Sequence, residues 1–263
     1  MGRYAAMSLL LVEPSRAQAH ITSARLAELG LTVVNHVRTG SLALEALAGG
    51  AAPDLLLSAM YLEDMTGTEL VQAIRANPET EELMFALLSS EKAPRFLEPL
   101  RQCGVIGILE KPLSAKEMVR VLDSVLEVAS NQDLGISGYL DDIRVLLVDD
   151  SRTARRFMRR VLESIGLERF DEATNGREAL SLIERQTFDL LVTDLHMPEM
   201  NGIELTRYIR QSGLQPGLPI MMVTSEQQEQ TRGEALQSGI DALCEKPFEP
   251  NLIRGILEQL LEA

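Results

Sequence analysis

Two adjacent acids, Asp149 and Asp150, close one short apolar run, and a third, Asp194, closes another. Thr224 ends a further apolar run, and Lys246 follows one more. Carboxylates brought together repel each other unless a cation joins them, and hard oxygen donors of this kind suit Mg2+. A lysine and a hydroxyl beside them suit a phosphoryl group, the amine as a point charge and the hydroxyl as a hydrogen-bond donor. An aspartate is a weak nucleophile, and a metal would neutralise charge on the incoming group.

Such chemistry needs a scaffold that brings distant positions together. Residues 143–148, 189–193, 220–224 and 242–245 read as short buried strands, with a weaker one near 170–172. Ala154, Phe157, Met158, Val161, Leu162 and Ile165 recur at helical spacing, and Gly166 closes that helix. Residues 252–261 form the last predicted helix. Strands alternating with helices of this length imply parallel βαβ units, whose buried strands are apolar throughout. In an open parallel sheet, ligands bind beyond the carboxyl ends of the strands. Every candidate residue falls there.

The same pattern occurs twice. Leu10-Leu11-Val12-Glu13-Pro14-Ser15-Arg16 parallels Leu146-Leu147-Val148-Asp149-Asp150-Ser151-Arg152, and Glu110-Lys111-Pro112-Leu113 parallels Glu245-Lys246-Pro247-Phe248. The spacing between copies is 136 residues at the first block and 135 afterwards, so the first copy carries one extra residue, expected near Gly49-Gly50. The chain therefore reads as a domain over 1–130, a linker over 131–142 that holds Gly135 and Gly138, and a domain over 143–263. The first copy differs at the reactive positions. Glu13-Pro14 replaces Asp149-Asp150, and Ala59 replaces Asp194, while Ser89 and Lys111 keep the hydroxyl and the amine. A methyl group accepts no phosphoryl group. Ser58 is no substitute, because a shift of one residue along a strand turns the side chain to the other face. Glu13 is the nearest partner for Lys111, and such a pair would hold the first site in one state.

The second copy closely resembles a CheY-like response-regulator receiver domain over about residues 143–263. The resemblance rests on Val148-Asp149-Asp150-Ser151, on the run from Thr193 to Gly202, on Thr224-Ser225 and on Lys246-Pro247-Phe248. The first copy resembles a degenerate receiver over about residues 8–129. The resemblance implies two flavodoxin-like (βα)5 doubly wound sheets with strand order 2-1-3-4-5. It implies that Asp194 accepts a phosphoryl group from a sensor histidine kinase or phosphotransfer protein. Mg2+ would be held by Asp150, Asp194 and the backbone carbonyl of His196, with Asp149 acting directly or through water. Lys246 would pair with the phosphoryl oxygens, and Thr224 would move to hydrogen-bond them. His196 and Glu226 would flank the mouth of the site. Three residues before Lys246 the family usually has Tyr or Phe, whereas this chain has Leu243, which can pack into a vacated space but alters less surface when its rotamer changes. The kinase is expected on the first helix of the second domain, where Arg152, Arg155, Arg156, Arg159 and Arg160 cluster and where several arginines should face outward.

The net charge of −14 and pI near 4.7 argue against a nucleic-acid output. No run of about 18 apolar residues suggests a membrane span, and the N-terminal run lacks a signal-peptide cleavage pattern. Cys103 and Cys244 read as two buried thiols in a cytoplasmic protein. The expected output is protein–protein contact with an unidentified downstream partner, the first domain serving as an interaction or dimerisation module. The chain is not expected to be an enzyme beyond phosphorylation and dephosphorylation of Asp194. One alternative is the N-terminal part of a larger regulator, a hybrid kinase or a cyclic-dinucleotide enzyme. Another is a haloacid-dehalogenase-type phosphatase, which needs an acid where His196 stands.

Overall fold

In a computed structural model, which describes residues 2–50, 52–91, 94–130, 142–226 and 228–261, the chain divides into two units, Met1–Ala129 and Ser130–Ala263. Apart from Asp142, the expected linker lies outside the described residues.

The first unit runs β1 (Ser8–Val12), α1 (Arg16–Glu28), β2 (Val33–Val37), α2 (Gly40–Ala48), β3 (Leu55–Ala59), α3 (Gly67–Ala76), β4 (Phe85–Ser89), α4 (Pro94–Gln102), β5 (Gly107–Glu110) and α5 (Ala115–Ser130). The second repeats it as β6 (Arg144–Val148), α6 (Arg152–Ile165), β7 (Arg169–Ala173), α7 (Gly176–Ile183), β8 (Leu190–Asp194), α8 (Gly202–Ser212), β9 (Ile220–Thr224), α9 (Glu229–Leu236), β10 (Ala242–Glu245) and α10 (Pro250–Leu261). The sheets are ordered β2-β1-β3-β4-β5 and β7-β6-β8-β9-β10, and every pairing is parallel. The extra residue of the first copy falls at the end of α2, nine residues long against eight in α7.

Local chemistry sets the element ends. Ser15 and Ser151 cap α1 and α6 by accepting from the amides of Gln18 and Ala154. Thr66 with Glu69 and Asn201 with Glu204 form capping boxes on α3 and α8. Gly166 and Gly213 take the left-handed conformation that ends α6 and α8. Each unit buries its own core: Leu10, Leu56, Leu70, Ile74 and Phe85 in the first, Leu146, Leu191, Leu205, Ile209 and Ile220 in the second. Of the stripe expected on α6, Ala154, Met158, Val161 and Leu162 are buried, while Phe157 and Ile165 are only half-buried. Cys244 is buried, and burial pushes its thiol up to about 12. Cys103, expected to be buried, is only half-buried, because it packs at the edge of the first core. No described helix is long and apolar enough to cross a membrane.

Candidate phospho-acceptor site

In each sheet the chain runs from its first strand out to one edge and then crosses back to the other side of the first strand. The carboxyl ends of β6 and β8 therefore stand together, and they carry Asp149 and Asp194. Ser151 donates its backbone N–H to Asp149 Oδ1 at 2.8 Å, so the turn into α6 holds that carboxylate. The backbone N–H of His196 does the same for Asp194 Oδ2 at 2.8 Å. The start of α8 lies against the end of β8. A Cβ on Gly202 would meet the Asp194 carbonyl oxygen at 2.3 Å, so only glycine allows that approach.

Lys246 enters from the end of β10, its backbone N–H donating to the Thr224 carbonyl at 2.8 Å. Its Nζ lies 2.6 Å from Asp194 Oδ1 and 3.0 Å from Asp149 Oδ2, with all three side chains at most 4% exposed. Two carboxylates share one ammonium. Burial and the neighbouring Asp194 charge push Asp149 up to about 6 against the pull of Lys246. Burial works against the Lys246 charge too, but Asp194 and Asp149 outweigh it, and its pKa rises. The amine therefore stays protonated. Thr224, buried, accepts from the Glu226 N–H at 2.9 Å. The exposed His196 imidazole stands 3.3 Å from Glu226 Oε2 at the mouth. Asp150 is exposed beside the buried pair. The donors fit a hard divalent cation in kind, since the buried pair holds one more negative charge than Lys246 neutralises. Among the described residues, however, no group of three or more acidic, His or Cys side chains is gathered so as to hold a metal ion.

The first unit keeps the frame and changes its contents. Lys111 Nζ lies 2.9 Å from Glu13 Oε2, while Glu13 Oε1 accepts from the Ser15 N–H at 3.1 Å. Glu13 thus spans the same two partners as Asp149, with one more methylene. Ser89 accepts from the Glu91 N–H at 2.9 Å, as Thr224 does from Glu226. Ala59 is buried and offers only its methyl group. Ser58 donates to the Ala59 carbonyl at 2.9 Å and is fully buried. Asp64, after β3, accepts from the Ser41 hydroxyl and from the Ser41 and Gly40 backbone N–H groups, contacts that hold its carboxyl down at about 2. The rim loop of the first unit is thereby tied to the start of α2. The Lys-Pro peptide after the lysine is cis in both units.

A family model described as the response regulator receiver domain matches residues 9–123 and again residues 145–258. The chain belongs to the response regulator receiver family. Chemotaxis protein CheY of Pseudomonas aeruginosa is 36% identical over 120 residues, which are 46% of this chain and 97% of that protein. A CheY homolog of Campylobacter jejuni is 37% identical over 120 residues, 45% of this chain and 92% of that protein. Among solved structures, the receiver domain of a Pseudomonas aeruginosa sensor histidine kinase, described with a magnesium ion in its active-site cleft, is 27% identical. It covers 46% of this chain and 98% of its own, with a TM-score of 0.43. Membership in the receiver family displaces the haloacid-dehalogenase alternative.

Within the second receiver, the arginines of α6 are less outward than their spacing suggested. Arg155 has an 11% exposed side chain, lies 3.0 Å from Glu172 Oε2, and donates to the Asp149 carbonyl at 2.5 Å. It supports the site from behind, because β7 places Glu172 within its reach. Arg159 pairs with Glu163 at 2.8 Å and stacks over Phe170. Arg156 is half-buried, and Arg152 is exposed. Leu243 is half-buried and packs against the cluster of Leu195, Ile203, Met222 and Ala235.

Proposed function

We propose that the second receiver takes a phosphoryl group onto Asp194 from the phosphohistidine of a sensor histidine kinase or phosphotransfer protein, and that the first is a fixed interaction module. The carrying observation is the buried Lys246 ammonium shared by Asp149 and Asp194, against a first site with Ala59 and a closed Glu13–Lys111 pair. An Asp194 oxygen attacks phosphorus, the P–N bond breaks, and the imidazole leaves with the electron pair and takes a proton from solvent. Lys246, held protonated, meets the phosphoryl oxygens. Thr224, which accepts from Glu226, keeps its own hydrogen to donate to them. Asp149, Asp150, Asp194 and the His196 carbonyl would hold a Mg2+ that neutralises charge on the incoming group. Glu226 and His196 flank the path of water to the acyl phosphate. Leu243, already packed among apolar neighbours, would follow Thr224 by a small repacking, and the signal would pass by protein–protein contact to a downstream partner.

The donor would approach over α6. Arg155 turns inward to Glu172 and Asp149, whereas the Arg159 side chain stays open beside exposed Arg152, so Arg152, Arg156 and Arg159 form the proposed docking face. The test is acetyl phosphate with Mg2+ followed by peptide mapping. One phosphoryl group per chain should appear, on Asp194, and Asp194→Ala should abolish it. A labelled peptide containing Ala59, or undiminished labelling of Asp194→Ala, would sink this reading.

A further inference from the structure

Away from the reactive strand ends, the two receivers also differ along one edge of the sheet. β2 and β7 each pair on one side only, with β1 and β6. An edge strand presents unpaired main-chain groups that another strand can meet, and proteins blunt such edges with charge. β7 follows that rule. Asp171 pairs with Arg144 at 2.8 Å, Glu172 with Arg155, and Arg169 with Asp142 at 2.9 Å. β2 does not. The stretch from Leu31 to Val37 holds no charged residue, and three of the five β2 residues are valine. Val33 is 45% exposed, and the other exposed apolar residues nearest in the chain are Ile21 on α1, 48%, and Leu42 on α2, 46%. These are the elements just before and after β2. Among the described residues of the second unit, the exposed large apolar ones, Tyr208, Leu236 and Leu252, all lie elsewhere.

We propose that the β2 edge of the first receiver is a self-association surface that pairs antiparallel with β2 of a second copy of this chain. Self-complementarity selects that partner. A two-fold axis through Asn35 sets Val33 opposite Val37, Val34 opposite His36, and Asn35 opposite itself. Val-on-Val pairs are favourable across strands, and no like charges are opposed. The same operation on β7 would set Asp171 against Asp171 and Phe170 against Glu172. For a protein of net charge −14, an uncharged edge is where an identical copy can approach at least electrostatic cost. The main chain agrees with the register. The Val37 carbonyl accepts from the Glu13 N–H at 3.0 Å, so the odd-numbered residues of β2 turn toward β1. Val34 and His36 then turn outward, and each exchanges both of its hydrogen bonds with the other residue type on the partner. Asn35 falls at a non-hydrogen-bonded position, where opposed Cα atoms approach to about 4.5 Å.

Sedimentation of the full chain over a dilution series should show a monomer–dimer equilibrium. Val33→Lys with Asn35→Lys should raise the dissociation constant by about tenfold or more, with an unchanged circular dichroism melt. Leu252→Lys on α10 should leave it unchanged. Asn35→Cys gives an independent reading, because about 4.5 Å between Cα atoms suits a disulfide. Under copper–phenanthroline it should cross-link into dimers faster than Gln230→Cys, exposed on α9, and faster than the parent chain. Labelling of Asp194 by acetyl phosphate is expected in every variant, so this test is separate from that of the phospho-acceptor. A monomer at every concentration, cross-linking of Asn35→Cys no faster than Gln230→Cys, or dimers lost in Leu252→Lys but kept in the edge variant would each overturn the proposal.

Discussion

Glu13 and Lys111 meet in the first receiver where a three-residue charge cluster stands in the second, and Ala59 in place of Asp194 leaves them as a simple pair. The Glu13 side chain is buried and that of Lys111 is 23% exposed, so breaking the pair from one side leaves a buried carboxylate without its counter-charge. Lys111→Met should destabilise the first receiver by about 3 kcal/mol, read from the midpoint of urea unfolding. Replacing both partners, as Glu13→Leu with Lys111→Met, should restore most of that loss, because a buried ion pair exchanged for apolar groups is often neutral. A double variant no more stable than Lys111→Met alone would mean that the pair does more than satisfy itself. The placement of residues at the strand ends was legible beforehand, because each continuous apolar run marks a buried strand and its end marks where a side chain reaches the carboxyl edge of the sheet. The Glu13–Lys111 contact was expected by elimination. The inward turn of Arg155 was not, since its acceptors are a carboxylate on another strand and a main-chain carbonyl, and neither leaves a mark at helical spacing.

Between elements, an arginine that has no part in the reactive constellation holds equivalent corners in both units. Arg75 on α3 donates to the carbonyls of Glu81, Leu83, Cys103 and Gly104, at 2.8–3.0 Å. Arg210 on α8 donates to the carbonyls of Leu218 and Gly239, each at 2.9 Å, and pairs with Asp241 at 2.7 Å. Each fixes the loops that lead into the fourth and fifth strands of its sheet. Arg210→Met should cost about 1–2 kcal/mol, since it strips a donor from the part-buried Leu218 carbonyl and others from the more exposed Gly239 and Asp241. Arg210→Lys should recover little of this, because one ammonium lacks the planar fork that reaches several acceptors. Equal urea midpoints for Arg210→Lys and the parent chain would refute the account. These arginines could not be singled out by composition, because all but one of the partners named here are backbone atoms common to every residue. Alternation of strands and helices and the Gly166 stop of α6 were open to reading from local pattern, whereas the strand order came with the family resemblance.

At the scale of the molecule, each unit carries its own sheet, caps and core, so each is expected to fold alone. Fragments 2–130 and 142–263 should both unfold cooperatively. Only the second should incorporate label from acetyl phosphate, to the same stoichiometry as the whole chain. Label on 2–130, or none on a folded 142–263, would show that the site does not belong to one unit. The glycines that open α3 and α8 bear on how each position would tolerate change. A Cβ at Gly67 would meet the Ala59 carbonyl at 2.8 Å and Leu87 at 2.6 Å, and Gly202 is similarly crowded. In a saturation library sorted once for cellular abundance and once for labelling, Gly67 and Gly202 should be depleted alike in the first sort, whereas Asp194 should stand out only in the second. The first receiver has thus shed the constraint that chemistry imposes on a strand end while keeping the one that close approach imposes eight residues later.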